Sequence, residues 1–167
     1  MLNAAATASA NKAALAATFQ QLVTFELFEE IFALPILDVR EIIRPTNITP
    51  VPQAPGFVEG VINLRGQIIP VVDLRKRFGL ASQQSNDDTR IIVVELGNQL
   101  VLGLIVDGVR EVERLPTDSI TPPPALIAGS IGAEYIKGIS NHDEKMIVHI
   151  DLRKVFNAQE LNALANS

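Results

Sequence analysis

The chain has 167 residues, a formal net charge of −5, a pI of about 5.0 and no cysteine or tryptophan. An acidic balance with 5% aromatics offers neither the electrostatic footprint nor the stacking platform that nucleic acid or an anionic lipid surface requires. The missing cysteines exclude disulfides and thiolate chemistry, and no apolar run reaches membrane-spanning length, so the composition predicts a globular, cytoplasmic protein.

Residues 1–18 are Ala-rich, and the single cation among them, Lys12, sits inside the apolar stretch with no basic segment before it. That reads as a flexible leader and not a secretory signal. Leu22–Leu27 and Ile31–Ile36 flank Phe28-Glu29-Glu30 as a β-hairpin would, and Val39–Ile43 alternates apolar and charged residues, with Arg40 outward. Pro45, Pro50, Pro52 and Pro55 then stiffen a surface arc. Two strands follow, Val58–Asn63 and Ile68–Val72, joined by Leu64-Arg65-Gly66-Gln67, in which Gly66 can take the left-handed conformation. Asp73 is placed to cap a helical turn over Leu74–Phe78, and Gly79 stops it.

After a polar loop at 81–90 the same order returns. Ile91–Leu96 and Leu100–Val106 flank Gly97-Asn98-Gln99, Val109–Val112 alternates with Arg110 outward, and Pro116 and Pro122–Pro124 make a second arc. Phe57–Phe78 aligns without a gap on Tyr135–Phe156, 78 positions later, so that Gly60 matches Gly138 and Asp73-Leu74-Arg75-Lys76 matches Asp151-Leu152-Arg153-Lys154. Upstream, Asp38-Val39-Arg40-Glu41 answers Asp107-Val109-Arg110-Glu111 with Gly108 inserted. Asn157 is expected to stop the second helical turn as Gly79 stops the first. With Glu160 it also forms a capping-box pattern ahead of Leu161 and Leu164. A period this long is one small β unit used twice. The expected organisation is a first β-barrel subdomain at 19–80, the loop at 81–90, a second barrel at 91–157, and a C-terminal helix and tail at 158–167.

Chemistry-bearing constellations are sparse. The two histidines, His142 and His149, fall in a turn and a strand of the second copy and read as surface residues; a hydrolase would need a Ser, a His and a carboxylate to meet around one of them. A metabolite held in a cleft between the barrels is the other alternative. No metal or cofactor is expected. The turn that differs most between the copies is Asn63-Leu64-Arg65-Gly66 against Asn141-His142-Asp143-Glu144, a cation where the other has anions. Glu41 can pair with Arg65 if their strands are neighbours, a surface pair contributing at most about 1 kcal/mol.

The ordered series Asn63-Leu64-Arg65-Gly66, Pro70, Asp73-Leu74-Arg75, Val106-Asp107-Gly108-Val109 and Tyr135-Ile136-Lys137-Gly138 resembles the CheW family of chemotaxis coupling proteins, over about Gln20 to Asn157. The resemblance implies an all-β fold of two pseudo-symmetric, five-stranded SH3-like barrels with short helical turns. It implies no catalysis. It implies instead an adaptor that couples the cytoplasmic tip of methyl-accepting chemoreceptors to the regulatory domain of the histidine kinase CheA. The family's receptor-contacting positions map to Val39, Glu41, Gly60 and Arg65; its kinase contacts map to no particular residues here. Phe28 stands where the family has a glycine-type turn residue, which implies a longer turn or a buried Phe28.

Overall fold

The computed structural model describes residues 18–80, 85–97, 99–125 and 133–165. Ten strands run in chain order: β1 (Phe19–Leu27), β2 (Glu30–Pro35), β3 (Val39–Ile43), β4 (Val58–Leu64), β5 (Gln67–Asp73), β6 (Arg90–Leu96), β7 (Leu100–Val106), β8 (Gly108–Pro116), β9 (Ile136–His142) and β10 (Lys145–Ile150). Helices α1 (Leu74–Arg77), α2 (Leu152–Val155) and α3 (Ala158–Ala165) follow β5, β10 and α2.

The strands form two five-stranded sheets with matching orders, a first sheet β3-β6-β7-β5-β4 and a second sheet β8-β1-β2-β10-β9. Neither sheet is a sequence half. The first is the continuous stretch 39–106, and the second joins the N-terminal hairpin to 108–150. The boundary expected at the inter-repeat loop is therefore not the boundary between the sheets. The reason is local: only Asp107 separates β7 from β8, too few residues for a hairpin, so the chain runs straight on into the other sheet. The corresponding passage from β2 to β3 is the single 3₁₀ turn Ile36–Asp38. Each sequence half thus lends its opening hairpin to the other half's sheet, with parallel pairings β5·β7 and β2·β10 at the junctions.

The proline-rich arcs close the sheets. Thr49, beyond β3 at one edge of the first sheet, exchanges hydrogen bonds with Val61 on β4 at the opposite edge (2.8 and 2.9 Å), and Thr121 does the same with Ile139 on β9. Each sheet so becomes a small barrel. Gly60 and Gly138 lie where the arcs cross. A Cβ on Gly60 would sit 2.2 Å from the Thr49 carbonyl oxygen, and one on Gly138 2.7 Å from Ile120 Cγ2, so the repeated glycine answers to close backbone approach.

Strict alternation on β6 shows how the core divides. Ile91 and Val93 face the first barrel's interior with Ile62, Ile69, Val71, Val101 and Ile105, while Ile92 and Val94 face the space between the sheets. Among the described residues that space is packed with side chains from both sheets and all three helices, among them Phe25, Leu34, Val72, Leu104, Ile150, Leu152 and Leu164. The repeated blocks grip each other through reciprocal aromatic pairs: Phe57 against Phe156 at 5.6 Å and Phe78 against Tyr135 at 4.3 Å between ring centroids. Such pairs contribute roughly 0.5–1.5 kcal/mol beyond the area they bury.

Local chemistry follows the sequence at most ends. The Asp73 carboxylate accepts hydrogen bonds from the Arg75 and Lys76 amides (2.9 and 3.4 Å), Gly79 is left-handed at φ +72°, and Asn157 and Glu160 cap α3 reciprocally at 2.7 and 2.8 Å. Three expectations are corrected. Asn157 does not take a positive φ; its side chain is committed to capping α3 instead. Phe28 sits in a two-residue turn, at φ +58° and exposed, because the Asp107 carboxylate accepts a hydrogen bond from its amide (2.5 Å) and holds the tight turn without glycine. His149 is buried, on the barrel-facing side of β10 with Ile147. The leader at 1–17 and part of the 81–90 loop, 81–84, lie outside the described residues.

Candidate functional site

Three of the four sequence-selected positions depend on the first barrel's seam, where edge strand β3 meets the β4–β5 turn. Val39 opens β3 and packs, half-buried, on the core between the sheets. After a bulge at Arg40, Glu41 turns toward solvent. The β4–β5 turn places Arg65 at φ +53° and Gly66 at φ +86°, and the Asn63 side chain accepts a hydrogen bond from the Gly66 amide (2.8 Å). A two-residue turn with both residues left-handed matches the twist of the flanking strands. It aims the Arg65 guanidinium across the seam, where it donates to the Glu41 carboxylate. Leu64, Gln67 and Arg40 complete a notch of about 120 Å³ around the pair. The Arg65 side chain is 71% exposed, so the pair is a rim feature and not a core clamp.

Gly60 is not part of this notch. It lines a separate apolar hollow of about 270 Å³ between the 51–55 arc, Pro70 and the end of α3. The structure thus brings Glu41 and Arg65 into contact, sets Val39 on the same strand, and gives Gly60 a task in seating the arc.

Sequence reasoning missed the clamps at the crossovers. The Arg75 guanidinium donates to both Asp73 carboxylate oxygens (3.0 Å each) and to Asp107 (2.7 Å), with Arg75 and Asp73 almost wholly buried. Hydrogen bonding to Asp73 raises the Arg75 pKa against the opposing effect of burial, so its charge is permanent. The equivalent Arg153 reaches Asp38, the matching crossover residue, at 3.3 Å, but with its own side chain half-exposed. The repeated Asp-Leu-Arg and the Asp38/Asp107 match were the signals in the sequence; the crossed pairing could not be read without the topology.

The second barrel's interior holds a polar pair closed off from solvent. Ser140 and His149 share a 2.7 Å hydrogen bond, but each is 2% exposed, and burial lowers the His149 pKa to about 4, which keeps the ring neutral. Among the described residues no cluster of His, Asp or Glu is arranged to hold a metal ion, and no helix is long and apolar enough to cross a membrane.

Comparison with known proteins gives one consistent answer. The family model for the CheW-like domain matches residues 21–160. The chemotaxis protein CheW of Treponema pallidum is 38% identical over 150 residues, covering 87% of each chain, and that of Klebsiella aerogenes is 34% identical over 147, covering 88% of this chain and 87% of its own. The crystal structure of the scaffolding protein TtCheW from Thermoanaerobacter tengcongensis superposes with a TM-score of 0.76 at 43% identity, covering 84% of this chain and 90% of that one.

Proposed function

We propose, on the premise that this chain belongs to the CheW family, that it is a cytoplasmic, non-catalytic adaptor joining a chemoreceptor's cytoplasmic tip to the regulatory domain of the histidine kinase CheA. It needs no cofactor. Its action is geometric: two barrels locked by a continuous apolar core present their surfaces at a fixed mutual angle, so a partner on one is held in register with a partner on the other.

The observation that carries the receptor side is the Glu41–Arg65 pair, exposed at the first seam beside Val39. A helical receptor tip docks by apolar contact, and charges at the rim set its register and rate of encounter more than its total affinity. Gly60 contributes indirectly, by letting the 45–55 arc lie flat on β4.

The test is reconstitution of a receptor cytoplasmic fragment, CheA and this chain, reading kinase autophosphorylation. Kinase output that depends on the chain, and that Arg65→Ala weakens while the melting temperature holds, supports the reading. Output indifferent to the chain's addition overturns it.

A further inference from the structure

The duplication makes each barrel a control for the other at its seam. In the first seam the cation is internal, Arg65 reaching Glu41. At the equivalent positions the second seam has Asp143 and Glu111, and β8 adds Glu113. The Glu113 side chain is 9% exposed, and its Oε2 has no hydrogen-bond partner among the described residues. His142 Nε2 stands 3.8 Å from Glu113 Oε1 and 3.4 Å from Asp143 Oδ2, too far to satisfy either carboxylate fully. Arg110, on the notch's edge, pairs with Glu26 at 2.8 Å, and Lys145 makes no ion pair with these carboxylates among the described residues. These groups surround a notch of about 110 Å³ floored by Ile31 and Ile147. Burial first, and then a hydrogen bond shared with the Glu111 carboxylate, raise the Glu113 pKa against the opposing charges of His142 and Arg110, so burial outweighs the cations nearby.

We propose that this second seam is a socket for one arginine side chain presented by a partner polypeptide, entering where Arg65 lies in the first. A guanidinium fits the requirement better than an ammonium. Its planar fork donates to two carboxylates at once, it sheds water at lower cost, and Arg65 shows that the geometry accepts it. The socket is independent of the coupling role proposed above and of the first seam's contacts.

The test titrates the full-length, ¹⁵N-labelled chain with three probes: N-acetyl-arginine amide, its uncharged citrulline counterpart, and an Ala/Gln helical peptide carrying one central arginine. The arginine amide and the peptide should both shift the backbone amides of Glu113, His142 and Asp143, and citrulline should not. Glu113→Gln should weaken the response at least tenfold. Asp143→Arg should abolish it by filling the socket from within, at a turn whose φ of +52° matches the +53° of Arg65. Because the two variants alter the seam in opposite senses, failure of either to fold leaves the other decisive. Equal shifts with citrulline, a response that survives both variants, or binding of the free amide but not the peptide would each overturn the proposal.

Discussion

The two barrels share one strand order and differ in what fills their equivalent positions. Inside the first, Ile62 and Val71 are apolar; inside the second, the same places hold Ser140 and His149, hydrogen-bonded to each other. In the first crossover clamp Arg75 is buried with Asp73 and Asp107, whereas in the second Arg153 is half-exposed over a mostly buried Asp38. The first seam is closed by its own ion pair, and the second is left with an unmatched carboxylate. Duplication has preserved backbone geometry, which repeated glycines, caps and bulges enforce, while charge and polarity have drifted apart. One barrel is internally satisfied. The other carries polar groups whose protonation and partners depend on conditions.

The sharpest way to break this comparison is through the clamps. Arg75→Ala takes the counter-charge from the buried Asp73 and the part-buried Asp107, and removal of one partner from a buried network costs roughly 3–5 kcal/mol. Arg153→Ala removes a longer pair whose cation is half-exposed and screened, and should cost about 1 kcal/mol. Urea unfolding of both variants measures the difference directly. Equal losses would mean that burial does not distinguish the clamps.

The barrel interiors should differ in acid. Burial and the charge of Lys137 hold the His149 pKa at about 4, below the ordinary 6.5, so the unfolded chain binds the extra proton first. Its contribution to stability is present above pH 6.5 and is lost as pH falls toward 4, by on the order of 3 kcal/mol at most. Carboxylates elsewhere titrate too, so the diagnostic is a difference. Converting the second interior to the first with Ser140→Ile and His149→Val should flatten the stability loss between pH 6.5 and 4. An unchanged slope would place the acid sensitivity elsewhere.

What could be read in advance was what adjacent residues decide. Strand β3, the Arg65-Gly66 turn, the Asp73 cap and the Asn157/Glu160 box each depend on a few neighbouring side chains, and each is present. The Glu41–Arg65 pairing depended on strand adjacency and follows once β3 and β4 flank one seam. The exchange of hairpins was hidden because sequence similarity marks the repeat and not its partners; the single residue between β7 and β8 was the available clue. His149 shares strand parity with Ile147, which pointed inward, but its polarity argued for the surface; only Ser140, across the hairpin, makes burial tolerable.

The arc-seating glycines rank next. Gly60→Ala drives a methyl against backbone, at φ +149°, and should cost roughly 2–3 kcal/mol. Gly138→Ala meets Ile120 Cγ2 at 2.7 Å and the Thr121 carbonyl oxygen at 2.9 Å, a looser backbone approach without a positive φ, so its loss should be smaller. Thermal melts of the two variants sharpen the comparison. If Gly60→Ala also weakens receptor binding, its Tm loss identifies the cause as arc displacement.

The smallest effect on stability, and the one most informative about function, belongs to Arg65. Its ion pair is screened by solvent, so Arg65→Ala should change stability by less than about 1 kcal/mol. Alanine, however, inherits a left-handed backbone that a residue with a Cβ occupies at a cost of roughly 1–2 kcal/mol. Arg65→Gly removes the charge and that strain together, so it should melt at or above the parent temperature. If both variants bind the receptor fragment equally weakly while their melting temperatures differ, binding follows the guanidinium and not the turn. If Arg65→Gly binds as the parent does, the cation is dispensable and the first seam's part in docking falls to Val39 and its apolar surroundings.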